Sequence, residues 1–322
     1  MLFDVLKFFG GLVLLLIGGR FLVAASVDAA RRLGVSPLVV GLTLVAWGTS
    51  APELALNLIS AAKGRGDLAV GNVVGANICN MALVLGLCAL VKPLVVQERL
   101  IRVEIWLNAV VLVFLTLLGL IGGVSRWEAG IMLGIFGAYS MWTIMAAMRG
   151  PSHEAPPPDP AAPAEAPPMS WTRIVLFFIG GLGLLSIGGS LASDGASAIA
   201  IGLGVPAAVV GVTIVSIGTT LPEMVTGVMA VRKGQTDLAM GNAIGSCLFN
   251  AGAVFGLVGL LSPITVGQTL AFPLAYMGLL SIALLPISRT YNRTVSRFEG
   301  GLLLASYAAF LTISAVSAAG SR

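Results

Sequence analysis

Long apolar segments divide this sequence, and they constrain its fold more than any other feature. The chain is 57% hydrophobic and only 10% charged, whereas a soluble domain carries about 25% charged residues. Each segment is roughly long enough to cross about 30 Å of hydrocarbon as a helix. The sequence therefore predicts an all-α integral membrane protein with ten transmembrane helices. The segments cover approximately residues 3–26, 37–62, 68–91, 103–122, 127–147, 173–193, 207–231, 238–261, 270–287 and 298–318.

An internal repeat becomes visible when the chain is shifted by 170 residues. Residues 41–93 and 211–263 are identical at 21 of 53 positions without a gap. The repeated unit holds five apolar segments, and an odd number means that the second copy enters the membrane from the opposite side. The sequence therefore predicts two inverted five-helix repeats, residues 1–148 and 171–322, joined by a proline-rich linker, residues 149–170.

The basic residues are unevenly distributed between the two sides of the membrane. The loops after segments 1, 3, 5, 7 and 9 hold twelve Lys and Arg residues, and the opposite side holds five. Cytoplasmic loops carry such an excess, so the linker is predicted to be cytoplasmic and both termini extracytoplasmic. This indicates a multi-pass protein of the cell inner (plasma) membrane. The net charge of +4 is accounted for by these loops, and no nucleic-acid partner is expected.

Two carboxylates lie inside apolar segments, at equivalent positions of the two repeats. Glu53 is in "AWGTSAPEL" (46–54) and Glu223 is in "SIGTTLPEM" (216–224). The proline before each glutamate leaves a helix carbonyl without its donor, and such a carbonyl inside a membrane must be satisfied by protein, water or an ion. An ionisable residue at this depth is a functional candidate by default. The sequence therefore predicts a polar site at the centre of the membrane.

The candidate ligands of this site are all oxygens. The two repeats supply the glutamates, neighbouring hydroxyls, and the amides of "GNVVGANICN" (71–80) and "GNAIGSCLFN" (241–250). Oxygen-only sites suit hard cations such as Na⁺, Ca²⁺ and Mg²⁺, and two carboxylates would balance one Ca²⁺. No cofactor is expected. The candidates are Glu53, Glu223, Thr49, Thr219, Ser50, Thr220, Asn80, Asn250 and Ser246.

Other polar residues near the site have competing interpretations. Asp67 and Asp237 precede segments 3 and 8, and we interpret them as helix N-caps rather than ion ligands. Asn72 and Asn242 could bind ions or pack between helices, and packing is slightly favoured. The three cysteines lie in apolar segments and are predicted to be buried core residues without a disulfide bond.

The paired blocks "GLTLVAWGTSAPELALN…GDLAVGNVVGANICN" and "GVTIVSIGTTLPEMVTG…TDLAMGNAIGSCLFN" resemble the α-repeats of the sodium/calcium exchanger family of cation/calcium antiporters. The resemblance covers the whole chain, and the short linker is similar to that of compact prokaryotic members. It implies a secondary active antiporter that exchanges Na⁺ for Ca²⁺ by alternating access and functions as a monomeric transport unit.

The resemblance also implies a role for each site residue. Glu53 and Glu223 would be central ligands of both ions, and Thr49 and Thr219 would add backbone carbonyls to the Ca²⁺ site. The Na⁺ sites would be completed by Ser50, Thr220, Ser246, Asn80 and the carbonyls of Ala46 and Ser216. Segments 1 and 6 would slide to alternate access, and their Gly-Gly steps would let them move over the core.

Two departures from the family pattern affect the expected site. Ala76 stands where the first repeat commonly has a serine, which removes one hydroxyl. Asn250 stands where many members have an acidic residue, and in the potassium-dependent branch that residue is typically aspartate. Because Asn250 supplies no third carboxylate, the expected exchange is independent of K⁺. It is also expected to be electrogenic, since two carboxylates with several neutral oxygens can hold more than two Na⁺ in place of one Ca²⁺.

Two other functions remain open from the sequence. A proton-coupled Ca²⁺ exchanger is the first alternative, although such relatives carry Gly-Asn-Ala followed by Glu in segment 2, which is absent here. A cation channel is the second. An inverted repeat around two carboxylates favours a carrier over a channel.

Overall fold

The computed structural model describes residues 1–63, 66–149, 167–205, 214, 216–262, 264–267 and 270–320. Nearly all of this part is helical, so the predicted all-α fold is confirmed. The helices are α1 (Leu2–Leu33), α2 (Pro37–Val40), α3 (Ala46–Thr49), α4 (Ala51–Ala62), α5 (Gly66–Ile78), α6 (Leu85–Val91), α7 (Ile105–Ile121), α8 (Arg126–Met148), α9 (Trp171–Gly202), α10 (Ser216–Thr219), α11 (Leu221–Arg232), α12 (Thr236–Phe249), α13 (Phe255–Leu261), α14 (Ala271–Ile287) and α15 (Arg297–Gly320).

Shorter elements join these helices. Stretches of π-helix, whose hydrogen bonds span one more residue than those of an α-helix, occupy Gly41–Val45, Cys79–Val84, Leu100–Glu104 and Asn250–Val254. A short turn, Thr290–Arg293, follows α14. The two-residue strands are β1 (Leu94–Val95), β2 (Gly123–Val124), β3 (Ile264–Thr265) and β4 (Thr294–Val295). Most of the predicted linker, residues 150–166, lies outside the described residues.

Most predicted membrane segments coincide with apolar helices of sufficient length. In the described part, six helical stretches could each cross a membrane, and residues 37–62 form a seventh span that is bent by 44° at Ser50. α14 is a shorter apolar helix of 17 residues. α1 and α9 have 32 residues each, or about 48 Å. They therefore extend well past the predicted bounds 3–26 and 173–193 and exceed the hydrocarbon thickness.

Glycines bring α1 and α9 into direct backbone contact. A Cβ atom on Gly11 would lie 2.6 Å from the Gly188 carbonyl oxygen, and one on Gly18 would lie 2.8 Å from the Gly181 carbonyl oxygen. These four glycines therefore pack the two helices against each other, so only part of each Gly-Gly step is available to the core. Of the remaining step glycines, only Gly19 and Gly189 meet α10 and α11.

Two short ribbons hold α7 and α14 together at both ends. β1 pairs with β4 in antiparallel fashion, and β2 pairs with β3 in the same way. β1 precedes α7 and β2 follows it, while β3 precedes α14 and β4 follows it. The two helices also pack along their length, so the helices and the ribbons form one connected unit.

The five basic loops contact one another and lie at the same end of the bundle. The Met169 backbone N–H donates to Asp28 at 2.9 Å, which joins the first loop to the linker end. Lys233 interacts electrostatically with Asp28. Gln97 donates to Asp237 at 2.6 Å, and Arg297 donates to the Val91 carbonyl at 3.4 Å. The loops that the sequence assigns to one side therefore share one end of the structure.

The two aspartates interpreted as N-caps do not cap their helices. α12 begins at Thr236 after Gln235, so Asp237 lies within its first turn, where its carboxylate accepts the hydrogen bond from Gln97. α5 begins at Gly66, so Asp67 also follows the helix start. The interpretation was wrong because an acidic residue in the first turn is favoured by the helix dipole as well as at the cap. The cysteine prediction is confirmed, since all three cysteines are buried and none of them forms a disulfide bond.

The glycine contact predicts opposite effects for two neighbouring substitutions. Gly11→Ala places a methyl group against the α9 backbone, which cannot give way, and should destabilise the protein by about 1–3 kcal/mol. Gly10→Ala is the matched control, because no atom lies within 4 Å of its new Cβ and alanine favours the helix by up to about 1 kcal/mol. Thermal unfolding in detergent checks both. A Gly11→Ala protein as stable as Gly10→Ala would contradict the packing.

Candidate cation site

Two helix breaks create the centre of the site. Ser50 separates α3 from α4 with φ −90° and ψ 6°, and Thr220 separates α10 from α11 with φ −92° and ψ 1°. A proline at the second position of each following helix is tolerated there, because no intrahelical partner is needed for its missing N–H. At each break one helix therefore ends and a new helix begins, as the prolines predict.

Each break places a glutamate in the first turn of the restarted helix. Glu53 lies in the first turn of α4 and Glu223 in the first turn of α11. The positive end of a helix dipole stabilises a negative charge at this position. The two carboxylates are only 3% and 1% exposed and lie close enough to interact electrostatically.

A hydrogen bond joins the two halves of the site. The Ser50 hydroxyl, at the first break, donates to Oε1 of Glu223 at 3.0 Å. The π-helical segment that contains Asn80 packs against α11, and the one that begins at Asn250 packs against α4. Each asparagine therefore lies beside the helix that carries the glutamate of the other repeat.

Several buried oxygens of the site have no partner among the described residues. Leaving a buried acceptor unsatisfied costs about 1–3 kcal/mol, so such a group points to a ligand from outside. Neither glutamate has a basic residue among its electrostatic partners in the described part of the chain. The atoms without a partner include Oε2 of Glu53, Oε2 of Glu223, Oδ1 of Asn80, Oδ1 of Asn250 and Oγ of Ser246.

This donor set fits a hard cation. It combines two carboxylates with neutral amide and hydroxyl oxygens, which are the ligands that Ca²⁺ and Na⁺ prefer. Within the described residues, no group of three or more His, Cys, Asp or Glu side chains converges on a metal position. Transition metals that need nitrogen or sulfur ligands are therefore poorly suited to these groups.

Asn242 has a role that the sequence left open. Its amide nitrogen donates to the Glu223 carbonyl at 3.4 Å, and its Oδ1 lies 3.3 Å from the Thr49 hydroxyl oxygen. It is fully buried. Asn242 therefore positions the break of the first repeat against the glutamate of the second. The repeated Gly-Asn pair was the sequence signal, but spacing alone does not give the partners.

The first repeat holds its glutamate differently. The Asn57 side chain donates to the Glu53 carbonyl at 2.8 Å, whereas the equivalent position in the second repeat is Gly227. Asn72 is the counterpart of Asn242, and its amide nitrogen is buried without a partner. The two repeats are therefore alike in sequence but not in their hydrogen bonds.

The coverage of the two glutamate helices also differs. α11 packs against both α1 and α9, whereas α4 makes no extended contact with either among the described residues. Accordingly Pro222 is buried and Pro52 is exposed, as are Ala51 and Ala55 beside it. α11 is therefore covered by α1 and α9, whereas the start of α4 lies at the protein surface, and both glutamates are buried.

The other predicted residues are placed as follows. Thr49 is buried, and its hydroxyl donates to the Val45 carbonyl at 3.0 Å, while the Ala46 carbonyl accepts from the Ser50 N–H at 3.0 Å. Ala76, at the position of the missing serine, is buried. The second-repeat counterparts lie at the equivalent break: Ser216 begins α10, Thr219 ends it, and Thr220 is buried between the helices.

Comparisons with known proteins agree with this architecture. A family model described as "Sodium/calcium exchanger protein" matches residues 3–145 and 173–316. CaxA of Alkalimonas amylolytica is 35% identical over 92% of this chain and 94% of its own. Sodium/calcium exchanger MaX1 of Methanosarcina acetivorans is 29% identical over 94% and 96%. A structure of the sodium-calcium exchanger NCX_Mj soaked with Na⁺ and Sr²⁺ superposes with TM-score 0.81 at 29% identity, covering 98% of both chains.

The geometry predicts that divalent cations stabilise the protein through the two glutamates. At a Ca²⁺ concentration 100 times its dissociation constant, binding should add about 2.7 kcal/mol to the free energy of unfolding. Glu53→Gln and Glu223→Gln should each lose most of this gain, since each removes one charge opposite the ion. The measurement is the thermal unfolding temperature in detergent with and without Ca²⁺.

Glu104→Gln is the matched control for that experiment. Glu104 is also a fully buried carboxylate, but it has a basic partner, Arg99, at 3.4 Å. Its variant should keep the Ca²⁺-dependent rise in unfolding temperature even if its baseline stability falls. An undiminished rise in Glu223→Gln would show that the ion binds elsewhere.

Proposed function

The chain belongs to the sodium/calcium exchanger family, and we propose that it exchanges Na⁺ for Ca²⁺ across the membrane as a secondary active antiporter. Members of this family are cation transporters rather than enzymes, and this chain is a multi-pass membrane protein. The observation that carries the proposal is the pair of buried glutamates, contributed by opposite halves of the chain and surrounded by unpartnered oxygens.

The charge of the site accounts for the exchange. Glu53 and Glu223 together supply two formal negative charges, which one Ca²⁺ neutralises. Several neutral oxygens lie around them, so more than two Na⁺ ions can replace the Ca²⁺ without a further charged ligand. Ca²⁺ and Na⁺ would therefore compete for the same carboxylates, and each would prevent binding of the other. No cofactor takes part, and one monomer holds the complete site.

We further propose that ten helices form two inverted repeats of five. α4 and α11 have equal length at a separation of 170 residues, as do α6 and α13. The two glycine contacts between α1 and α9 obey the same 170-residue shift. Gly11 corresponds to Gly181 and Gly18 to Gly188, so each contact corresponds to the other. The shift likewise carries β1 onto β3. The two ribbons, at opposite ends of α7 and α14, would then be equivalent under a two-fold axis in the membrane plane.

Alternating access follows from that symmetry. If the two halves are equivalent, a protein open along α4 has a second state of similar structure that is open along α11. The pair α1–α9 would cover α11 in the first state and α4 in the second. On the positive-inside assignment, the end toward which α4 runs is extracytoplasmic, so the described conformation would be the outward-facing one in the plasma membrane.

A proton-coupled Ca²⁺ exchanger is the alternative function. Two buried carboxylates could exchange protons for Ca²⁺, but protonation would not use the surrounding amide and hydroxyl oxygens. Those oxygens favour Na⁺ as the counter-ion. The two functions are separated by whether an Na⁺ gradient or a pH gradient drives the flux.

Na⁺-driven Ca²⁺ uptake is the decisive test of the proposal. Purified protein in liposomes loaded with Na⁺ should accumulate Ca²⁺ when diluted into Na⁺-free buffer, and a pH gradient should not replace the Na⁺ gradient. More than two Na⁺ per Ca²⁺ moves net charge, which couples to the potential by about 2.3 kcal/mol per charge per 100 mV. An inside-positive potential, which favours Na⁺ leaving, should therefore speed the uptake.

The glutamate variants complete that test. Glu53→Gln and Glu223→Gln should abolish uptake, while the Glu104→Gln protein should retain it. Flux driven equally well by a pH gradient would support the proton-coupled alternative. A Na⁺-driven flux that ignores the imposed potential would contradict electrogenic exchange.

Exchange should not require K⁺. Asn80 and Asn250 are both amides, so the site has no third carboxylate, and adding K⁺ to bound Ca²⁺ would leave an uncompensated charge in a low-dielectric site. Replacing K⁺ by choline on both sides at a clamped potential should leave the Ca²⁺ flux unchanged. Asn250→Asp supplies the missing charge and is the variant in which K⁺ dependence can arise. Loss of wild-type flux without K⁺, restored when K⁺ returns, would overturn this expectation.

A further inference from the structure

A basic cleft lies at the end of the bundle where the basic loops gather, outside the cation site. Its volume is about 430 Å³, and its walls come from two loops that the ribbon β1–β4 joins. Three of its five lining residues are arginines and one is a glutamate, so its formal charge is +2. The lining residues are Glu98, Ile101, Arg102, Arg289 and Arg293.

The charges of the cleft are only partly paired. Glu98 forms ion pairs with both Arg102 and Arg293. Arg289 lies over the ring of Trp106, with its guanidinium carbon 5.7 Å from the ring centroid. One carboxylate therefore pairs with two guanidinium groups, and the third guanidinium group stacks on an aromatic ring. This leaves N–H donors of the arginines available to an anion.

The backbone that carries Arg293 is fixed in an unusual conformation. Tyr291, Asn292 and Arg293 have φ values of 44°, 58° and 61°, a left-handed region that side-chain-bearing residues rarely occupy. The turn is held on its far side, because the Arg293 carbonyl accepts from the Val96 N–H at 2.7 Å. Strained backbone of this kind persists where the surrounding structure enforces it, and it is concentrated at binding sites.

Two exposed apolar stripes run from this cleft along the membrane-spanning helices. On α7, Trp106 and Val110 continue the line of Arg102, and they are 45% and 60% exposed. On α14, Ile282 precedes Arg289 by about two turns and is 47% exposed. The contact between Arg289 and Trp106 brings the two stripes together. The surface therefore offers positive charge at the membrane boundary and an apolar path directly beneath it.

We propose that this cleft binds the phosphate of an anionic phospholipid. The arginines would hold the phosphate oxygens through charge-assisted hydrogen bonds, and an acyl chain would lie along Trp106, Val110 and Ile282. Inorganic phosphate offers the same charged group but makes no use of the apolar stripes. The geometry thus favours a lipid with net negative charge over a zwitterionic lipid and over the free ion. Basic pockets between helices on the cytoplasmic side are suited to such headgroups.

Native mass spectrometry of the full-length protein in detergent tests the proposal without measuring ion exchange. Dioleoyl phosphatidylglycerol and dioleoyl phosphatidylcholine are added at equal concentration, and inorganic phosphate is added in a separate arm. Wild-type protein should retain phosphatidylglycerol in preference to phosphatidylcholine. Arg289→Gln/Arg293→Gln should weaken that binding by about thirtyfold, because two basic contacts are lost.

Two further variants make the result specific. Arg102→Gln removes a charge from the most exposed wall, where the side chain is 74% exposed, and should also weaken binding if the double variant does not fold. Arg149→Gln removes an exposed charge outside the cleft and should leave binding unchanged. Equal phosphatidylglycerol binding by wild type and by the cleft variants would overturn the proposal. Displacement of the lipid by equimolar inorganic phosphate would do so as well, since it would identify the free ion as the ligand.

Discussion

The candidate site depends on two buried carboxyl groups that have no basic partner in the described part of the chain. Glu104 shows the usual solution for a carboxylate inside this protein, which is a neighbouring arginine at 3.4 Å. Among the described residues, Glu53 and Glu223 have helix N-termini, a serine hydroxyl and each other, but no basic partner. A bound cation would supply the missing positive charge, and in the proposed exchange that cation must also be able to leave. The helix breaks and the amide-bearing π-helical segments would supply its neutral ligands.

The two halves form one shared site, because side chains of each half contact residues of the other. Ser50 of one half donates to Glu223 of the other, and Asn242 joins the Glu223 backbone to Thr49. Neither half therefore holds both carboxylates of the candidate site on its own. The differences between them are equally informative, because Asn57 holds the Glu53 carbonyl in the first half whereas the second half has Gly227 in its place. The hydrogen bonds of the two halves therefore differ where their sequences differ.

The sequence predicted the centre of this protein better than its edges. Glu53, Pro52 and their counterparts are so unfavourable in an apolar helix that only a break and a polar site can explain them, and the structure has both. The helix ends were harder, since α1 continues past residue 26 to Leu33 through a stretch whose charged residues face the boundary. Asp237 was misassigned because its partner, Gln97, is 140 residues away. The hydrogen bonds of Asn242 and the contact of Gly11 with α9 also involve residues that are distant in the sequence. No local pattern predicts such contacts.

The two ribbons limit which parts of the molecule can move. A displacement of α7 along α14 by one strand residue, about 3.3 Å, would break the register of β1–β4 and β2–β3 at the same time. Both ribbons therefore oppose sliding of α7 along α14, whereas the described residues show no such ribbon between α1 and α9. A large rearrangement is accordingly expected in helices other than α7 and α14. Four short strands, with only eight residues between them, would then determine which helices stay together.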